Sequence, residues 1–235
     1  LYLCFLMREG LVSFLPRGGT VAEIGVAQGE FSKVILDGTE PKHLHLIDPW
    51  IHQDDPSYAA DPNNAPMSDQ NANFRSVSEQ FAEQSASGQV IIHRTYSQAA
   101  VNRFEDRQFD WIYVDGLHTR EGVTRDLALY WDKVKDDGFI VGHDYTNIEP
   151  ARKMGFGVIE AVDSFVAERG AEFIALTAEA YPTYLLAKQP GQHCEQMKAS
   201  LLYHVPDLVE IREPLNRFQL SLVTVGDKMV LLRSF

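Results

Sequence analysis

The sequence predicts an α/β fold: a mostly parallel sheet, helices on both faces, and a terminal antiparallel hairpin. Three observations predict it. Apolar strand-like runs alternate with segments of helical periodicity from Thr20 to Arg169, the pattern of parallel strands linked by crossover helices. The first of these strands runs into a small-residue turn, Glu23-Ile24-Gly25-Val26-Ala27-Gln28-Gly29-Glu30, and the next strand ends on Asp48. Two β-rich runs, Glu172–Thr177 and Thr183–Lys188, are separated by so few residues that they read as a hairpin.

Taken in order, residues 1–15 read as a helix packed against the sheet. Their apolar opening, Leu1–Met7, is too short to span a membrane and has neither a basic region before it nor a cleavage site after it. Thr20–Ala22 is the first strand, Phe31–Leu36 has helical spacing, and His43–Ile47 is the second strand. Residues 51–73, with Pro56, Pro62, Asn63, Asn64 and Pro66, read as a long polar loop of the length that often serves as a lid. Phe74–Gln84 is a helix, Val90–His93 the third strand, and Ser97–Phe104 another helix. Phe109–Val114 is the fourth strand and runs into Asp115.

Glu121–Trp131 then carries Val123, Leu127 and Tyr130 on one helical stripe. Thr119 is its N-cap, and Glu121 and Asp126 serve the helix, Glu121 through the dipole of the first turn. Asp137-Gly138 turns the chain into a fifth strand, Phe139–Gly142, which ends on His143-Asp144-Tyr145, and Gly157–Arg169 is a further helix. The reading places one domain over residues 1–190 and a C-terminal extension over 191–235. In that extension, strands Arg217–Val225 and Lys228–Leu232 flank Gly226-Asp227; they continue the sheet or form a subunit contact in a homodimer.

Composition narrows the function. The 235 residues suit one large domain, and 45% hydrophobic content gives it ample core. A net charge of −12 argues against a nucleic-acid partner, and no segment suggests a membrane. Cys4 and Cys194 give neither a disulfide framework nor a metal spacing, so a reducing cytoplasm is expected. His193, Cys194 and His204 read as structural.

The turn after the first strand is the first functional signal. Its small residues let a ligand approach the backbone, and an acid at the next strand end can hold ribose hydroxyls. A nicotinamide fingerprint would need Gly-x-Gly-x-x-Gly, but the chain has Gly25, Ala27 and Glu30 at those places. S-adenosylmethionine (SAM) has no pyrophosphate to cradle, and a carboxylate such as Glu23 suits a cationic ligand. Trp50 is placed either beside the adenine or in the core. The second signal is Asp115-Gly116-Leu117-His118-Thr119-Arg120-Glu121-Gly122-Val123, with Gly142-His143-Asp144-Tyr145 downstream, at the ends of adjacent strands.

With these segments the chain resembles, over about residues 18–190, class I SAM-dependent methyltransferases with a Rossmann-like fold. It is most similar to the macrocin O-methyltransferase branch and, more remotely, to the catechol O-methyltransferases. The resemblance implies that Glu23, Gly25, Gly29, Asp48, Ser97, Gln98 and Asp115 bind SAM, with Ser97-Gln98 at the adenine edge. It implies that Asp115 and Asp144 hold a divalent metal such as Mg²⁺. His118 falls where the catechol enzymes have a catalytic lysine, and Tyr145 where they have the third metal ligand, an Asn.

The chemistry agrees with the resemblance. Methyl transfer from a sulfonium to a hydroxyl is an in-line displacement that rewards positioning. A hard cation on two carboxylates would acidify the hydroxyl of a small-molecule acceptor, and His118 would take the proton. In a strand, His143 points away from Asp144 and packs or supports. Two other functions stay open at this point: a metal-dependent hydrolase or oxygenase using His118, Asp115, His143 and Asp144, and a non-catalytic SAM-binding subunit.

Overall fold

The computed structural model describes residues 1–55, 58 and 63–235. In chain order the first elements are β1 (Tyr2–Cys4), α1 (Arg8–Val12), β2 (Thr20–Ile24), α2 (Glu30–Thr39), β3 (His43–Asp48), α3 (Met67–Gln80), α4 (Ala82–Ala86) and β4 (Val90–Arg94). Then come α5 (Ser97–Ala100), β5 (Phe109–Val114), α6 (Arg120–Tyr130), β6 (Val134–Gly142), α7 (Glu149–Lys153) and α8 (Val158–Arg169). The last are β7 (Glu172–Thr177), β8 (Tyr184–Ala187), α9 (Gln192–His204), β9 (Leu208–Glu210), β10 (Gln219–Val225) and β11 (Lys228–Ser234).

Nine strands form one sheet in the order β4-β3-β2-β5-β6-β8-β7-β1-β9. Strands β4 to β6 are parallel neighbours, while β8 runs antiparallel between β6 and β7. The predicted mostly parallel sheet and its hairpin are therefore present. Chain order reverses between β2 and β5, and at such a switch point the connections leave in opposite directions and open a crevice at the carboxyl ends.

The strands are buried on both faces because their residues alternate between two apolar layers. Ala22, Ile24, Ile112, Val114 and Ile140 enter one layer, with Val123 and Leu127 of α6 and Val162 and Phe165 of α8. Val21, Trp111, Tyr113, Phe139 and Val141 enter the other, with Phe31, Ile35 and Leu36 of α2. Thr119 caps α6 as predicted, its side chain accepting from the Gly122 N–H at 3.2 Å.

Several boundaries differ from the sequence reading, each for a physical reason. Residues 1–15 are not one helix: Tyr2–Cys4 pair parallel with β7, and only Arg8–Val12 are helical. A seven-residue apolar run has no periodicity long enough to tell strand from helix. Helix α3 begins at Met67, inside the predicted 51–73 loop; only Gln70 and Val77 are buried along it, so it shows no apolar stripe. Of that loop, Pro56 and Pro62 lie outside the described residues. Asp137-Gly138 is no turn but part of β6, where the register against β5 shifts between Phe109 and Trp111. Gly138 is there for close approach: a Cβ would sit 2.7 Å from the Asp110 carbonyl oxygen.

The C-terminal segment also differs. β10 and β11 form the predicted hairpin around Gly226-Asp227, yet as a separate two-stranded sheet and not as a continuation of the large one. The strand that does extend the large sheet is β9, antiparallel to β1. Helix α9, unforeseen in the sequence, buries Cys194, Met197 and Leu201. Among the described residues no helix is long and apolar enough to cross a membrane.

Candidate functional site

The crevice at the switch point holds an open cleft, with Gly25, Ala27, Asp48, Ser97, Gln98 and Asp115 among its lining residues. Its floor is the turn after β2. Gly25 has φ +88°, and a Cβ on it would lie 2.0 Å from the Asp115 carbonyl oxygen. Only glycine fits there, because β2 and β5 are stitched together at this point: Asp115 N–H donates to Ile24 O at 2.8 Å. Gly25 N–H donates to Ile47 O at 3.0 Å, tying the same turn to β3. Ala27 and Trp50 also hold left-handed conformations, at φ 49° and 44°. Such conformations in non-glycine residues gather where the surrounding structure enforces them, often at functional sites.

Asp48, from the end of β3, does the enforcing. One carboxylate oxygen accepts from Val26 N–H (3.0 Å) and Ala27 N–H (3.1 Å), and the other from Trp50 N–H (2.7 Å). Asp48 also lines the cleft, so the residue that fastens the turn stands at the ligand's side of it. Trp50 itself is fully buried against Phe74 and donates through Nε1 to Ala27 O at 2.8 Å. Its place is behind the turn, not beside a base.

Glu23 and Gly29 are absent from the residues lining the cleft. Glu23 lies behind the turn, 1% exposed, where Ser32 of α2 donates to it. Burial raises its pKa to about 8, the Ser32 bond opposes this, and the nearby Asp115 carboxylate adds to it. Gly29 caps α2 at φ +77° and packs under α3, where a Cβ would come 3.1 Å from Val77.

At the opposite end, Ser97 and Gln98 follow β4 and meet two residues of α6. Ser97 Oγ donates to Asp126 Oδ1 at 2.6 Å. The Gln98 amide satisfies its neighbours in one orientation only: its oxygen accepts from Arg125 Nε (3.2 Å) and Nη1 (3.1 Å), and its nitrogen donates to Ser97 Oγ (3.2 Å). Arg125 and Asp126 both line the cleft, so Asp126 does more than serve its helix. The sequence carried a signal for it: an acid three residues after Val123 sits on the apolar stripe of α6, and such a position is buried. Burial accordingly raises the Asp126 pKa, against the Ser97 and Arg125 contacts.

The two acids predicted as metal ligands converge. Asp115 Oδ1 lies 3.2 Å and Asp144 Oδ2 2.9 Å from His118 Nε2, and one ligand atom from each residue falls within 4.8 Å of the other two. His118 is 13% exposed and packs against the Phe156 ring, tilted by 30°. Burial disfavours its charge, but hydrogen bonds to both carboxylates win and raise its pKa to about 10. Burial likewise opposes the Asp115 charge, and His118, His143 and Arg8 outweigh it and lower the pKa. Held this way, the His118 ring is an imidazolium at neutral pH and a donor; the predicted base role requires a carboxylate to turn to another partner.

His143 does not point away from Asp144. β6 ends at Gly142, Asp144 is left-handed at φ 62°, and alternation stops there. His143 Nε2 lies 3.6 Å from Asp144 Oδ1, while Nδ1 meets Thr183 Oγ1 at 2.9 Å. Tyr145 takes no part: it is 1% exposed and donates to Asp163 Oδ1 at 2.6 Å. Arg8 was missed altogether. Its guanidinium lies 3.3 Å from Asp115 Oδ2, 3.3 Å from the Tyr113 hydroxyl and over the Phe31 ring. No local pattern ties an arginine in α1 to a strand end more than a hundred residues away.

Comparisons with known proteins fit this geometry. No functionally curated protein matches the chain. A Corynebacterium glutamicum protein of known structure is similar over 81% of this chain and 84% of its own, at 14% identity and TM-score 0.55. M. capricolum TrmK, solved with the cofactor product S-adenosylhomocysteine, is similar over 79% of this chain and 70% of its own, at 10% identity and TM-score 0.53. An O-methyltransferase family protein from Burkholderia thailandensis is similar over 78% of this chain and 56% of its own, at 13% identity and TM-score 0.52. At such identities the likeness is one of fold and names no acceptor. Residues 22–145, more than half of the chain, match the family described as "Methyltransferase domain". The chain therefore belongs to the methyltransferase-domain family, SAM-dependent enzymes of the class I fold.

Proposed function

We propose that the protein transfers the methyl group of SAM to a hydroxyl oxygen of a small-molecule acceptor, with assistance from a divalent cation such as Mg²⁺. The observation that carries this is the order of groups along the carboxyl edge of the sheet. Ser97 and Gln98 stand after β4, Asp48 at β3, the Gly25 turn at β2, Asp115 at β5 and Asp144 at β6. Adjacent strands lie about 4.8 Å apart, so the edge spans about 19 Å, room for a nucleoside cofactor laid across it. The base lies against Ser97 and Gln98, the ribose against Asp48, and the sulfonium near Asp115, with Glu23 and Gly29 supporting the turn from behind.

The donor set suits a hard cation: carboxylates from two adjacent strand ends converge, and Mg²⁺ is commonly held by one or two carboxylates together with substrate and water. Asp115 and Asp144 would hold it, and when bound it lowers the pKa of the acceptor hydroxyl. The remaining steps belong to the chain. Arg8 fixes Asp115 through Oδ2, leaving Oδ1 toward the site. His118 is kept by both acids at the acceptor end; its Nε2 receives the hydroxyl proton only after the imidazolium has given its own Nε2 proton to solvent, which requires the carboxylates to turn from it to another partner. The −12 net charge favours a small molecule over a nucleic acid as acceptor.

Calorimetry tests the cofactor reading. S-adenosylhomocysteine is expected to bind with micromolar affinity, and Asp48→Ala to weaken it by about tenfold or more, through loss of the turn's fastening. Binding of NADH with no binding of either SAM or its product would overturn the reading. The acceptor is sought by incubating hydroxylated candidates with labelled SAM. Full transfer in excess chelator would remove Asp115 and Asp144 from metal binding.

A further inference from the structure

The base end of the cleft contains a residue that nothing in the family match assigns a role. Arg125 points both Nε and Nη1 at the Gln98 amide oxygen, at 3.2 and 3.1 Å, and its Nε lies 3.6 Å from Asp126 Oδ1. The guanidinium fork is planar and always charged, so it occupies both acceptor positions of that amide oxygen. The Gln98 nitrogen donates one N–H to Ser97 Oγ, whose own proton goes to Asp126. Turning the amide over would put its NH₂ group against a guanidinium. Gln98 is thus locked as a donor toward the cleft, with the 2%-exposed Asp126 carboxylate beside it as an acceptor.

We propose that Arg125 is a specificity-determining residue for the cofactor's base: by locking the Gln98 amide it makes the cleft accept adenine and reject hypoxanthine. Adenine offers an exocyclic amino donor next to a ring-nitrogen acceptor, the complement of a donor beside an acceptor. Hypoxanthine carries an oxygen acceptor and an N–H donor on its pairing edge, the inverse pattern. A polar site left unpaired or opposed in this way discriminates far more strongly than an apolar one. The inference rests on the proposal that SAM occupies this cleft with its base at Ser97 and Gln98.

The test measures binding of S-adenosylhomocysteine and S-inosylhomocysteine by calorimetry. The wild-type protein is expected to prefer the adenine ligand by about tenfold or more, as expected for one or two buried hydrogen bonds. In Arg125→Met the amide is free to present its oxygen, and the preference is expected to fall to about threefold or less. Arg125→Lys, which keeps the charge but loses the fork, is expected to fall between. A merely structural role for Arg125 would weaken both ligands alike, so an unchanged ratio overturns the inference. If thermal melts show Arg125→Met unfolded, Arg125→Lys and Gln98→Met read the same ratio. A wild-type protein that binds the adenine ligand without preference overturns only this inference; one that binds neither ligand overturns the functional reading beneath it.

Discussion

Glu23 offers a measurement on the support of the site that needs no substrate. Its carboxyl is 1% exposed and its pKa is raised from 4.5 to about 8, chiefly by burial. Between those values the folded chain holds a proton that the unfolded chain has released. Stability must therefore fall as pH rises across this window, the reverse of the usual carboxylate case. The raise of 8 − 4.5 = 3.5 units sets a ceiling of about 5 kcal/mol, at about 1.4 kcal/mol per pH unit. Glu23→Gln keeps the shape and an acceptor for Ser32 but cannot ionise. The assay is urea unfolding of both proteins at each pH unit from 4 to 9. The variant's advantage is expected to be near zero at the acid end, to grow through the window and to level off above pH 8. A difference independent of pH would show that Glu23 does not hold its proton in the fold, and would refute the account of it as a neutral support behind the turn.

Four further outcomes rest on the same geometry. Gly25→Ala, placing a Cβ 2.0 Å from the Asp115 carbonyl at φ +88°, is expected to cost about 3 kcal/mol or more in unfolding experiments and to abolish S-adenosylhomocysteine binding. His118→Ala leaves Asp115 and Asp144 facing each other without their shared cation, so it is expected to lower Tm in chelator and to regain part of the loss in Mg²⁺; a melt insensitive to Mg²⁺ would count against the two acids as ligands. In the wild type the His118 contribution is fully present below pH 6.5 and lost as pH rises through about 10, because its pKa is raised. Arg8→Met is expected to cost about 1 kcal/mol of stability, since the pair with Asp115 is partly exposed, and to lower kcat more than it raises the KM for SAM.

What the sequence disclosed was whatever local periodicity writes down. Trp111–Val114 alternates between two layers and must be a doubly buried strand, so Asp115 had to stand at its end; Asp48 follows His43–Ile47, another apolar run that ends on an acid. Residues fixed by backbone conformation were not legible. His143 swings to the Asp144 side because Asp144 leaves the strand in a left-handed conformation, and no alternation rule contains that step. Nor was the first half of α3, residues 67–73, legible as helix, having almost nothing to bury.

The site divides along the same line. Asp115 and His118 are three residues apart, and their pairing is a local matter; Asp144 joins them only because β6 lies beside β5. Arg8 reaches Asp115 from α1, outside the residues that match the family, and so brings to the site a cation that the family match does not describe. Burying two acids in one crevice is costly unless cations share it, and here His118 and Arg8 each take a different oxygen of Asp115. A bound divalent cation would have to displace or join that arrangement, so the affinity for metal is set jointly by an imidazolium and a guanidinium that the two acids alone do not reveal. The Mg²⁺ dependence of His118→Ala and the kcat of Arg8→Met therefore read two halves of one electrostatic balance.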